Sequence, residues 1–194
     1  MVADTPHRRL DVRTLIGVAH PLRVRIRDRL RREGPATATQ LARAFGESSG
    51  ATSYHLRMLA RHGFVEPDPD HGKGRERWWR ATPGVFQIVV SELLEDEAGR
   101  DALRLVSDEL HRLSEQRLQT WLNERERWTE PWRDGAESTS YVARLGAEQM
   151  QELRDELSAV IDAHVARAAG PDTAGPDVRN VEIELNIFPT GEPA

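Results

Sequence analysis

The sequence Ser49-Gly50-Ala51-Thr52-Ser53-Tyr54-His55-Leu56-Arg57 opens a stretch of residues whose chemistry suits contact with a nucleic acid. Small hydroxyl side chains and free backbone amides at the start of a helix can approach phosphates and base edges in a major groove. Arginine one or two turns further on can grip guanine with two parallel hydrogen bonds. Thr52, Leu56 and Leu59 form one helical stripe, which leaves Ser49, Gly50, Ala51, Ser53, Tyr54, Arg57 and Arg61 outside as candidate DNA-reading residues. His55 borders the stripe, and its position suits equally a residue that holds the helix in place and one that touches DNA. Thr39 and Gln40, at the start of the preceding helix, join the candidate set. So do Lys73, Arg75 and Arg77, whose period-two spacing projects them from one face of a strand toward a phosphate backbone.

Other chemistries find less support. With no cysteine, thiol nucleophiles, disulfides and thiolate metal sites are excluded. Asp108, His111 and Glu115 share a helix face, but one imidazole without a second His pair is a poor zinc or nickel site, and no metal or other cofactor is expected. The chain has no phosphate-cradling glycine loop and no His-Glu spacing of a metalloprotease, so an enzyme is not expected. Trp121, Trp128, Trp132, Tyr141 and Met150 have the character of an apolar pocket for a small-molecule effector, or equally of ordinary core.

The 194 residues carry a formal net charge of -5, an average that hides a division. Residues 1–83 hold 16 basic and 9 acidic side chains, a balance of +7, whereas 84–194 hold 11 and 23, a balance of -12. Such asymmetry implies two functional halves, the first suited to a polyanion. No apolar run approaches the ~20 residues of a membrane span. Nor does the N-terminus show the continuous apolar stretch of a secretory signal, so a cytoplasmic protein with no membrane partner is expected.

The elements that must position these residues follow from periodicity and punctuation. Val12, Leu15, Ile16 and Ala19 recur at helical spacing. After His20-Pro21 a second helix buries Leu22, Ile26 and Leu30 and presents Arg23, Arg25, Arg27, Arg29, Arg31 and Arg32 elsewhere, either as a cationic binding surface or as a merely solvated face. Thr37-Ala38-Thr39-Gln40 is a capping box that starts a short helix carrying Leu41, Ala42 and Phe45 and ending at Gly46. A further helix over about 49–62 stops at Gly63, giving a helix-turn-helix. Residues 64–66 and 75–81 read as the strands of a hairpin wing, with one of Trp78 and Trp79 in the core beneath it.

Residues 10–83 resemble the ArsR-type (arsenical-resistance repressor) winged-helix family. The resemblance is carried by Ala19-His20-Pro21-Leu22-Arg23, Leu41-Ala42 and Ser53-Tyr54-His55-Leu56-Arg57-Met58-Leu59, followed by Gly63-Phe64-Val65. It implies a dimeric transcription regulator whose recognition helix and wing bind a pseudo-palindromic operator in double-stranded DNA, with Ser53, Tyr54, His55 and Arg57 at recognition-helix positions.

The second half, 84–194, reads as a region for dimerisation and effector binding. Phe86, Val89, Val90, Leu93 and Leu94 begin it. A helix over about 97–128 then places Leu103, Val106, Leu110 and Leu113 at three-four spacing, a seam for a partner copy or for the chain's own helices. Beyond Pro131 to Gly135 the pattern predicts a strand at 140–145, a helix at 147–168, a flexible loop at 170–176 and a strand at 181–189 paired with the first. The expected fold is therefore α+β, mainly α: a winged helix-turn-helix, a helical dimerisation segment and a small strand-helix-strand unit. The expected function is a homodimeric DNA-binding regulator, a repressor, with small-molecule control. The alternative is a protein-interaction adaptor that docks its partner through the winged helix.

Overall fold

A computed structural model describes residues 7–71, 76–88, 93–168 and 177–192. The chain divides into two compact units, one over Pro6–Gln116 and one from Arg117 onward, with the division inside a long helix.

The first unit opens with β1 (His7–Leu10), α1 (Val12–Val18) and α2 (Pro21–Glu33). Asp11 caps α1 through a hydrogen bond from the Thr14 amide (2.7 Å), and His20 caps α2 by accepting from the Leu22 amide at Nδ1 (3.1 Å), with Pro21 preset for the first turn. The capping box is present in full: the Gln40 amide donates to the Thr37 hydroxyl at 3.3 Å, and the Thr37 amide donates to Gln40 Oε1 at 2.8 Å. It starts α3 (Ala38–Phe45), which Gly46 ends in the left-handed region at φ 68°, as expected of a glycine C-cap. Next come α4 (Ser49–Arg61), β3 (Val65–Pro67) and β4 (Trp78–Ala81).

A two-residue strand, β2 (Ala36–Thr37), pairs antiparallel with β4, which pairs antiparallel with β3, so the sheet order is β2-β4-β3. Three helices followed by this small sheet form the winged helix-turn-helix. The core collects the inward stripes of its helices: Leu15, Leu22, Ile26, Leu30, Leu41, Leu56 and Leu59 are buried with Phe64, Val65 and Trp79. Ile16 departs from its expected place and is exposed, while Val18 takes the inward position. Gly17 faces the ring of His62 so closely that a Cβ would lie 2.2 Å from its Cγ, so only glycine lets α1 settle there.

Two features lie beyond what periodicity predicts. β1 pairs in parallel with β5 (Val85–Ile88), joining backbone 78 positions apart in the register His7↔Val85. α5 (Glu97–Glu124) follows, continued by a 3₁₀ turn at Arg125–Arg127, close to the expected 97–128. Its seam packs on the unit's own core: Ala102 and Val106 are buried there and Leu103 and Leu113 lie against it, leaving Leu110 exposed. Of the two expected partners of that seam, the chain's own core accounts for all of it but Leu110. Val89 and Val90 lie outside the described residues.

The second unit contains the end of α5, a short α6 (Glu130–Asp134) and α7 (Ala147–Ala168). α7 matches the predicted helix, but the flanking strands do not form. Residues 140–145 and 181–189 are without regular structure, and neither pairs with a strand among the described residues. The expected loop at 170–176 lies outside the described residues. No helix among the described residues is long and apolar enough to cross a membrane.

Candidate nucleic-acid interface

Ser48 caps α4 by accepting from the Ala51 amide (3.1 Å), and the Thr52 hydroxyl donates back to the Ser48 carbonyl (3.0 Å). With Thr52, Leu56 and Leu59 fully buried, the rotation of the helix is fixed. Ser49, Gly50, Tyr54, Arg57 and Arg61 lie exposed on its outer side, and Ala51 and Ser53 are half-buried. An uncovered helix start followed by two exposed arginines is a surface on which a phosphate or a guanine edge can settle.

Beside this face a cleft of about 250 Å³ is lined by Thr37, Ala38, Thr39, Ser53, Arg57, Glu76, Arg77 and Trp79. It joins the start of α3, the middle of α4 and the foot of the wing. The Thr39 hydroxyl donates to Glu76 Oε1 at 3.1 Å, and Gln40 is engaged in its cap, so these two candidates already serve the chain itself. Glu76 is the member of the site that sequence reasoning missed. Its signal was present: one acid standing between Arg75 and Arg77. The Arg77 guanidinium lies 5.5 Å from the centre of the buried Trp79 ring, within reach of a cation–π attraction. Trp79 is thus the core tryptophan, and Trp78 stacks on His71 at 5.0 Å. Across the wing, Arg80 and Glu66 stand opposite each other and pair at 2.8 Å. Lys73 and Arg75 lie outside the described residues.

His55 sits against His20, ring centres 4.5 Å apart, with Tyr54 edge-on at 5.4 Å. Its Nδ1 is buried without a hydrogen-bond partner. Burial holds both imidazoles below their ordinary pKa, and positive charge adds to it: Arg23 and Arg25 at His20, and His20 and Arg23 at His55. Neutral rings packed at the joint of α2 and α4 favour the holding role for His55.

The arginines of α2 are spent within the molecule. Arg29 pairs with Glu33 (2.6 Å), Arg31 and Arg32 with Asp28 (3.9 and 3.1 Å), and Arg25 with Glu109 of α5 (3.6 Å), which also accepts from Arg112 at 3.0 Å. Arg23 donates to the Ala19 carbonyl at 3.2 Å. Arg27 lies over Phe64, and burial pushes its pKa down to about 10, Arg31 adding to the shift. On α4, by contrast, Arg57 and Arg61 carry no ion pair among the described residues.

The C-terminal aromatic residues differ in their burial. Trp128 and Trp132 meet edge to face at 6.2 Å, Trp121 and Met150 are half-buried, and Tyr141 is 84% exposed. Asp108, His111 and Glu115 are all exposed, and no group of three His, Asp or Glu side chains gathers to hold a metal among the described residues.

No curated protein is significantly similar to the chain. Residues 18–68, which run from the end of α1 through the helix-turn-helix to the foot of the wing, match a protein family described as a helix-turn-helix domain, and the chain carries such a domain there.

Proposed function

We propose that the protein is a sequence-specific DNA-binding transcription regulator of the ArsR type, a repressor that binds a pseudo-palindromic operator as a homodimer. In this reading residues 10–83 bind DNA and 84–194 hold the two copies together. α4 enters the major groove with Ser49, Gly50, Ala51, Ser53, Tyr54, Arg57 and Arg61. Arg77, with Lys73 and Arg75, flanks it on the phosphate backbone. Two such helices engage half-sites one helical turn, about 34 Å, apart.

One contrast carries the reading: α2 pairs Arg25, Arg29, Arg31 and Arg32 with acids of the chain, whereas α4 leaves Arg57 and Arg61 exposed and without ion pairs among the described residues. Exposed cations left unmatched beside an uncovered helix start are what an external polyanion requires. Gel-shift titration against operator and random duplexes tests it. Arg57→Ala is expected to narrow the gap between operator and random DNA by about 1–3 kcal/mol. Arg77→Ala is expected to weaken both alike and to lower the salt slope by about one. No duplex binding by the intact chain at micromolar concentration would instead favour the protein-interaction adaptor.

A further inference from the structure

The cleft between the foot of the wing and α4 sets an acid among cations. Arg57 and Arg77 line it, and so does the exposed Glu76. The Thr39 hydroxyl donates to Glu76 Oε1 at 3.1 Å, and the carboxylate forms no ion pair among the described residues. A negative charge in that place works against every phosphate the neighbouring arginines attract. A surface that served only to hold a phosphate backbone would gain nothing from it.

In a major groove a carboxylate acts as an acceptor. The base edge that offers it a donor with no acceptor alongside is that of cytosine, through the N4 amino group. Adenine also presents an amino group, but its N7 stands next to it and repels a carboxylate. Guanine presents the acceptors O6 and N7, which suit an arginine. The edge of a C·G pair is therefore a donor beside two acceptors, and the cleft answers it with an acceptor, Glu76, beside the donors of Arg57. Thr39 holds one carboxylate oxygen and leaves Oε2 without a hydrogen bond among the described residues.

We propose that Glu76 is a specificity-determining residue whose carboxylate accepts a hydrogen bond from the N4 amino group of a cytosine in the bound duplex. This rests on the DNA-reading role given to α4 in the preceding section and adds to it a base-reading residue outside that helix.

Selection of bound sequences from a library of random duplexes tests the assignment without a known operator. The native chain is compared with Glu76→Gln and Glu76→Ala, each checked for folding by circular dichroism. In Glu76→Gln the amide oxygen can still accept from Thr39, while the side chain now matches adenine, whose N6 and N7 an amide meets with two hydrogen bonds. The native chain is expected to enrich cytosine at one position. There Glu76→Gln is expected to lose that preference by at least about fivefold and to take adenine, with the other positions unchanged. Glu76→Ala is expected to lose the cytosine without gaining adenine. If both variants enrich the same bases as the native chain, the assignment is wrong, even where they bind all duplexes more tightly. Failure of the folded native chain to enrich any sequence would overturn the sequence-specific regulator itself.

Discussion

His20 does two tasks that acid makes incompatible. Its Nδ1 must be unprotonated to accept from the Leu22 amide and cap α2, and its ring must be neutral to lie 4.5 Å from His55 with Arg23 beside both. Both imidazoles have folded-state pKa values below the ordinary 6.5, so the unfolded chain takes up protons first as pH falls. Stability is therefore fully present above about pH 6.5 and declines as pH drops through that value toward the folded pKa values. Urea midpoints are expected to fall between pH 7.5 and pH 5, and His20→Asn, which keeps a capping side chain but cannot titrate, is expected to flatten part of that fall. The placement of His55 was out of reach of sequence alone. A residue on the border of a helical stripe turns inward or outward according to its neighbour across the joint, and His20 is 35 positions away.

At the level of elements, legibility followed the range of the forces involved. Caps and turns act over three or four residues, and Thr37-Ala38-Thr39-Gln40 declared its helix start in full. Thr37→Ala is expected to cost about 1 kcal/mol of stability, seen as a lower denaturation midpoint with unchanged slope, because the Gln40 backbone amide loses its acceptor. The inward stripe Thr52, Leu56, Leu59 was equally readable. Pairing was harder, since a strand needs a neighbour that its own pattern does not name. His7-Arg8-Arg9-Leu10 shows no alternation, yet its backbone joins Val85–Ile88 in parallel. Val181 to Ile187 alternates strictly, yet no strand among the described residues receives it. The α5 seam shows the same limit, because three-four spacing identifies a face to be covered and not what covers it. In the site, α4 was legible as a helix with an outer face, whereas the part played by Glu76 depended on Thr39, 37 positions away.

For the molecule as a whole, net charge is a poor guide and charge left unmatched is a better one. The first 83 residues carry +7, but Asp28, Glu33 and Glu109 absorb most of the α2 arginines, so positive potential is concentrated where α4 and the wing stand. A surface so arranged favours the approach of a polyanion in one orientation. The Arg77–Trp79 contact turns that docking into something visible. An indole under a guanidinium emits light in a local field, and a phosphate that draws Arg77 away removes the field while the ring stays in the core. Titrating operator DNA is expected to shift tryptophan emission in a Trp78→Phe chain and not in the chain that also carries Trp79→Phe, with Trp121, Trp128 and Trp132 as a constant background. The wing thus carries its own optical reporter, and occupancy of the interface can be followed in solution without attaching a dye.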